Sequence, residues 1–397
     1  MSSITQPLLP KASTAGTMSA PKKALRIVHL TSVHPPFDGR IFYRECTSIA
    51  RAGYDVTLIA RHDRDEFVNG IQVKGVPVTR GRFERMLKMT WAVYREAVRQ
   101  DADLYHFHDP ELIPAGLLLR FKKKLVVYDA HEDVPADVSA KRYLPKPLRG
   151  PIGWLAGTFE KGASRYFSGV VAATPKIGRR FRFRVANTAV IRNYPSPMAD
   201  PVPVNPWQER TPLIVYAGVL CDDRCIGEMV KAMGLLPSDF PATLRIAGKP
   251  SPPSYLREVS LLRGWERVDY LGLIKPPEVA QLLNDARVGL CLCQPTPGYL
   301  ESAPTKLFEY MQAGIPVIAS DFPAFRAVVD QSRCGLLVNS ADTRAIADSI
   351  EYLLTHPGEA RQMGERGRQA VAQAFHWETE ERKLLDLYDR LFKTITV

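Results

Sequence analysis

The chain has 397 residues, 45% hydrophobic and 24% charged, with a formal net charge of +11. That length exceeds one ordinary core and predicts two domains of roughly 180 residues each, and no apolar run reaches the roughly 18 to 20 residues that a bilayer crossing needs. The charge is uneven: residues 1–200 hold 32 Lys and Arg against 18 Asp and Glu, residues 201–397 hold 21 against 24, and the resulting +14 and −3 recover the total. A basic first half invites nucleic acid, an anionic membrane surface or a phosphorylated substrate.

Residues 1–24 are rich in Ser, Thr, Pro and Ala and lack the continuous apolar core of a secretory signal, so they are expected as a disordered tail. An apolar strand at 25–30 runs into the turn-rich TSVHPPFDGR. A helix follows at about 41–52 and a second strand at 56–60, an order that implies a parallel sheet. The first loop is not G-x-G-x-x-G, which argues against a nicotinamide enzyme. Alternation continues with a strand at 71–76, a helix at 83–100, a strand at 104–108, a helix at 112–120 and a strand at 125–128. The segment 141–167, KRYLPKPLRGPIGWLAGTFEKGASRYF, mixes Lys and Arg with Tyr, Trp and Phe. It reads equally as an interfacial surface helix or as a core helix with a solvated basic face. A strand at 169–173, a helix from 175 and a strand near 189–192 complete the half. Residues 193–212 carry six prolines and read as a linker.

The second half restarts the pattern, with strands at 213–217, 242–247, 268–271, 288–293 and 335–338 and helices near 226–235, 255–262 and 277–284. Three helical segments close the chain at about 344–354, 359–375 and 379–392. The six cysteines, at 46, 221, 225, 291, 293 and 334, are scattered, and their spacings are not those of a zinc knuckle. This is reduced, cytoplasmic usage. Two D-x-D strings, 63–65 and 101–103, read as solvated charge, and no bound metal is expected.

The rest is organised around residues 301–323, ESAPTKLFEYMQAGIPVIASDFP. It reads as loop, helix, glycine C-cap and strand, with Ser302 a candidate cap and Pro304 in the first turn. The free N–H groups of such a helix form an anion site. Lys306 and Glu309 are three apart and share a face, and Glu301 can approach the same ligand from the preceding loop. Cationic and dipolar groups suit a diphosphate, and carboxylates accept from sugar hydroxyls. A nucleotide-sugar carries both.

Glu301 and Glu309, in the string PTKLFEYM-x-AG-x-PVIAS, resemble the E-x7-E element of the retaining glycosyltransferases of family 4. HPPFDGRIFYRECTSIARAGYDVTLIA around Gly39, HFHDPELIPAG at 106–116 and VVYDAHEDVP at 126–135 resemble the same family. The resemblance implies a GT-B fold, two Rossmann-like doubly wound domains facing a central cleft. The division is then 25–195, a linker at 196–212, a donor domain at 213–375 and a closing helix at 376–397 packing back on the first domain. It also implies that His131 meets the donor sugar near the reacting carbon, with Glu301 as the second catalytic residue. Gly39, Asp109, Gly218, Arg224, Lys306, Leu307 and Glu309 are the implied substrate-binding set. By themselves, Gly39 reads as a turn glycine, His131 as a surface histidine paired with neighbouring acids, and Asp109 with Glu111 as caps of His108. The phosphate loop YAGVLCDDRCIGEM departs from the family at Val219 and Cys225, where many relatives have a basic residue and a glycine.

The function so implied is retaining transfer from a nucleoside-diphosphate sugar, UDP-sugar first and GDP-mannose next, to a hydroxyl of a glycan or lipid-linked glycan, as in surface polysaccharide assembly. No cofactor is expected, and no nucleic-acid partner. Peripheral contact with the inner membrane follows from the basic first half. A GT-B epimerase and a non-catalytic partner of another transferase are the alternatives.

Overall fold

The computed structural model describes residues 25–77, 85–140, 144–196 and 205–394. The tail expected over 1–24, the first residues of the basic cluster and residues 197–204 of the expected linker lie outside them.

The first sheet has eight strands: β1 (Arg26–Leu30), β2 (Asp55–Arg61), β3 (Glu66–Val68), β4 (Ile71–Val76), β5 (Leu104–Phe107), β6 (Leu125–Ala130), β7 (Gly169–Ala172) and β8 (Thr188–Val190). Their order is β3-β4-β2-β1-β5-β6-β7-β8. Central strands covered on both faces are mostly apolar, which is why β1, β5 and β6 read plainly in the sequence although each carries one buried polar residue, His29, His106 and Asp129. All pairs are parallel except β3 with β4. The three-residue β3 was not expected, being too short to show alternation. Its turn was visible: Asn69 and Gly70, at φ 54° and 80°, are the left-handed pair that a two-residue hairpin requires. In register, Leu30 lies opposite Phe107 and Phe107 opposite Tyr128. The loops after β1, β5 and β6 therefore open side by side along one edge.

The second sheet is wholly parallel: β9 (Leu213–Ala217), β10 (Thr243–Ala247), β11 (Val268–Gly272), β12 (Val288–Cys291), β13 (Val317–Ser320) and β14 (Gly335–Val338), in the order β11-β10-β9-β12-β13-β14. In both sheets the strand order reverses beside the first strand, at β1/β5 and at β9/β12. Crevices for ligands form at such points.

The last helix, Trp377–Lys393, buries Trp377, Leu384, Leu387, Tyr388 and Leu391 in a core cluster of the first domain. These positions share one helical stripe. Trp377 Nε1 donates to Ser48 Oγ at 2.8 Å, and Glu380 accepts from the Arg192 N–H at 2.9 Å. The closing helix thus packs on the first domain. No helix among the described residues is long and apolar enough to cross a membrane.

Candidate functional site

Two glycine loops form the floor of the cleft. Gly218 follows β9 and Gly248 follows β10, with φ of 147° and 145°. The Gly218 N–H donates to the Ala247 carbonyl at 2.8 Å. A Cβ on Gly248 would overlap the Gly218 carbonyl, and one on Gly218 would sit 2.7 Å from Lys306 Nζ. Bare backbone is what lets the lysine reach this strand end.

Lys306 is the second residue of the helix Thr305–Gln312, which starts from Pro304 with no side-chain cap. Ser302 therefore does not cap it. The N-terminal N–H groups and helix dipole add positive potential at the same end. Lys306 Nζ is buried without a hydrogen-bond partner, 3.7 Å from the centroid of the Tyr216 ring. Burial pulls its pKa down to about 8, and Arg224 adds to the depression. A desolvated ammonium with no acceptor is stabilised by an anion. The matching turn in the first domain is already filled: Asp38 accepts from the N–H groups of Arg40 and Ile41 at 2.8 and 2.9 Å, ahead of the π-helical turn Ile41–Cys46.

Arg224 closes the short 3-10 turn Asp222–Arg224. Its guanidinium lies 4.5 Å from the Tyr299 ring centroid, and Nη1 donates to Cys293 Sγ at 3.5 Å. Cys225 has φ 53°, a left-handed conformation. A residue with a side chain pays about 1–2 kcal/mol for that conformation, which glycine adopts freely. Val219 is half exposed and lines the cleft.

A cavity of about 690 Å³ opens between the domains, with Gly39, Tyr43 and Arg44 on one side and Gly218, Lys249 and Glu309 on the other. One end is apolar, walled by Leu273, Ile274, Val279 and Leu283. Glu309 is raised by burial against the pull of Arg44 and Lys306. Arg44 is lowered by burial and held up by Glu309. These opposite charges face each other across the cleft, and Arg44 also donates to Asn193 Oδ1. Arg44, Tyr216 and Tyr299 escaped the sequence reading because nothing in their spacing marks them.

The other expected residues are placed differently. Leu307 is fully buried in the second core, and its N–H donates to the Pro304 carbonyl at 3.0 Å, so its side chain offers a ligand nothing. Glu301 does not sit in a loop but ends a one-turn helix, Pro297–Glu301; it pairs with Lys176 of the first domain at 3.6 Å. Asp109 is buried and turned inward. Its Oδ2 accepts from Thr31 Oγ1 at 2.9 Å and from the Ser32 N–H at 2.6 Å, and Oδ1 faces His34 Nε2 at 3.5 Å. It pins the loop after β1.

His131 follows β6, its Nε2 2.9 Å from Asp129 Oδ2 and 3.2 Å from His108 Nδ1. Arg40 donates to both Asp129 oxygens at 3.2 and 3.1 Å. Burial alone would raise Asp129, but Arg40 and His131 outweigh it and hold the carboxyl well below the usual range. Glu45, 2.9 Å from Arg40 Nε, is pushed well up by burial and by Asp129.

Two groups among the described residues have metal-ligand composition: His29, Glu45, His106 and His108, and His108, Asp129 and His131. The His29 and His106 rings each stack on His108, at interplanar angles of 26° and 23°. In the first group His29 Nδ1 faces His108 Nε2 at 2.9 Å, His106 Nδ1 faces the Tyr388 hydroxyl at 2.6 Å and Glu45 pairs with Arg40, so its donors are already engaged. In the second group the Arg40 guanidinium already neutralises Asp129. Neither donor set fits a cation well.

A family profile described as Glycosyl transferases group 1 matches residues 202–370, and one described as Glycosyltransferase Family 4 matches residues 39–193. The chain is 26% identical over 192 residues to alpha-maltose-1-phosphate synthase of Mycolicibacterium smegmatis, covering 45% of this chain and 48% of that protein. The chain thus spans about half the length of this curated relative. In structure it is similar to sucrose-phosphate synthase from Thermosynechococcus elongatus, with TM-score 0.72 and 20% identity over 93% of this chain and 100% of that one. It is also similar to Anabaena HepE in complex with UDP and glucose, with TM-score 0.68 and 15% identity over 92% and 99%. Both likenesses establish the GT-B fold.

Proposed function

The chain belongs to glycosyltransferase family 4, and we propose that it moves a sugar, with retention at the anomeric carbon, from a nucleoside-diphosphate sugar to a hydroxyl of a glycan or lipid-linked glycan. A UDP-sugar is the first candidate donor and GDP-mannose the next. The observation that carries the reading is Lys306 Nζ, buried, unpartnered and set at an uncapped helix start under the cleft.

In this reading Lys306, Arg224 and the helix dipole neutralise the leaving diphosphate. Glu309 accepts from ribose hydroxyls, His131 and Glu301 hold the sugar, and Gly39 and Gly218 let backbone approach the ligand. The bond between the anomeric carbon and the phosphate oxygen breaks while the acceptor oxygen attacks the same face. The acceptor proton passes to the leaving phosphate oxygen. The test is a proton NMR time course with each donor and a panel of hydroxyl acceptors. Product retaining the donor's anomeric configuration supports the proposal. Donor isomerised without acceptor would replace it with an epimerase. Donor bound but unchanged with every acceptor would favour a non-catalytic partner.

A lipid-linked acceptor and contact with the inner membrane are supported by the helix Lys146–Ser164, which carries exposed Trp154, Leu155 and Phe159 beside Arg149 and Lys161. Apolar and basic groups on one surface suit an anionic interface. Anionic liposomes should retain the protein at low salt and release it at high salt. Indifference to lipid charge would remove this part of the proposal.

A further inference from the structure

Lys306 and Arg224 bring two cations to one end of the cleft, and each rests on an aromatic face. Lys306 Nζ lies 3.7 Å from the centroid of the Tyr216 ring, and the Arg224 guanidinium carbon lies 4.5 Å from that of Tyr299. The two rings are fixed differently. Tyr216 stands in β9, and its hydroxyl donates to the Val219 carbonyl at 2.7 Å. Tyr299 stands on the single turn Pro297–Glu301.

That turn is held from several sides. Leu300 packs on the second core, and Glu301 reaches Lys176 of the first domain at 3.6 Å. The loop leading into it is tied to the turn that carries Arg224, because the Gln294 N–H donates to the Asp223 carbonyl at 2.9 Å. Residues two apart on a helix point about 200° apart around its axis. Tyr299 accordingly meets the arginine of the second domain while Glu301 meets the lysine of the first.

Among the described residues Arg224 has no ion-pair partner, and its side chain has one hydrogen-bond acceptor, Cys293 Sγ at 3.5 Å from Nη1. Burial raises the Cys293 thiol against the pull of Arg224, and it raises the Tyr299 hydroxyl to about 12 in the same way. Both groups are therefore neutral at pH 7 and leave the charge of the arginine uncancelled. Lys306 repels it, since Arg224 adds to the effect of burial in lowering the Lys306 pKa. What holds Arg224 here must attract a cation without neutralising it. The face of an aromatic ring does this through its quadrupole. The guanidinium donors lie in the plane of the group, so those not spent on Cys293 stay open at its edge.

We propose that Tyr299 is a positioning residue whose ring holds the Arg224 guanidinium in place for a diphosphate, in the empty cleft and with the ligand bound. The inference rests on the reading of Arg224 as a diphosphate contact. The ring acts, and the hydroxyl is dispensable.

The experiment is a 31P NMR titration of the full chain with inorganic pyrophosphate, a probe that carries neither base nor sugar. Tyr299→Leu should weaken binding about fivefold, the scale of one partly desolvated cation–ring pair. Tyr299→Phe keeps the ring and should bind within about twofold of wild type. In an Arg224→Gln background, Tyr299→Leu should change nothing further. Phenylalanines bearing one, two and three ring fluorines at position 299 keep the shape while drawing charge from the ring face, and affinity should fall with each fluorine. This series decides the matter even where Tyr299→Leu does not fold. Unchanged or tighter binding in Tyr299→Leu would overturn the proposal, as would equal losses with and without Arg224, or a flat fluorine series. Loss of binding in Arg224→Gln with none in Tyr299→Leu removes the inference alone. Full affinity in Arg224→Gln, or no binding by wild type, removes the diphosphate reading of Arg224 and the inference with it.

Discussion

Lys306→Met tests the idea that this side chain is kept for a ligand at the expense of the empty protein. Its pKa falls from 10.5 to about 8 on folding. That is about 2.5 units at 1.36 kcal/mol each, or on the order of 3 kcal/mol. The sign follows from which state binds the proton. Below pH 8 both folded and unfolded chains carry the ammonium, so the full cost of burying it is present. Between pH 8 and 10.5 the folded chain sheds the proton first, and the cost disappears. Methionine fills similar space without charge, so the empty variant should melt several degrees above wild type at pH 7, with the gap closing towards pH 10. UDP, GDP or ADP should then raise the melting temperature of wild type alone. A variant less stable than wild type by the same amount at pH 7 and pH 10 would refute the reasoning and make Lys306 a packing residue.

Gly218→Ala places a Cβ 2.7 Å from Lys306 Nζ at a φ of 147°; it should cost about 1–3 kcal/mol in a denaturant melt and weaken nucleotide binding measurably by calorimetry. Glu301→Gln should lower turnover about 100-fold while moving the melting temperature by under about one degree, because the partly exposed pair with Lys176 is worth little. Trp377→Ala removes a buried ring and its bond to Ser48, a loss of about 3–5 kcal/mol in urea unfolding. If that midpoint barely moves, the closing helix does not secure the first domain.

The alternation of apolar strands and helices was legible because parallel strands covered on both faces read as nearly uninterrupted apolar runs, as in β9 and β13. Boundaries were less so: the strand expected at 288–293 stops at Cys291, and the turn before Glu301 is helical despite its Pro and Gly. Gly39, Gly218 and Glu309 line the cleft, but they were singled out through the family resemblance, since by itself Gly39 reads as a turn glycine. Leu307 and Asp109 carry the same motif letters, yet one faces the core and the other holds a loop. Direction cannot be read from letters alone. The buried histidine cluster was hidden for a further reason. His29 and His106 sit inside strands that read as hydrophobic, and their partner Tyr388 lies more than 275 residues away.

The central claim is that the cleft holds a nucleoside diphosphate through fixed protein cations. Isothermal titration of UDP, GDP, ADP and their common sugars, in EDTA and again with Mg2+, on wild type and Lys306→Ala, measures it directly. The account predicts that one nucleotide family binds, equally well with and without the metal, and that the variant loses it. Binding that needs Mg2+, or that survives the loss of Lys306 undiminished, would contradict it.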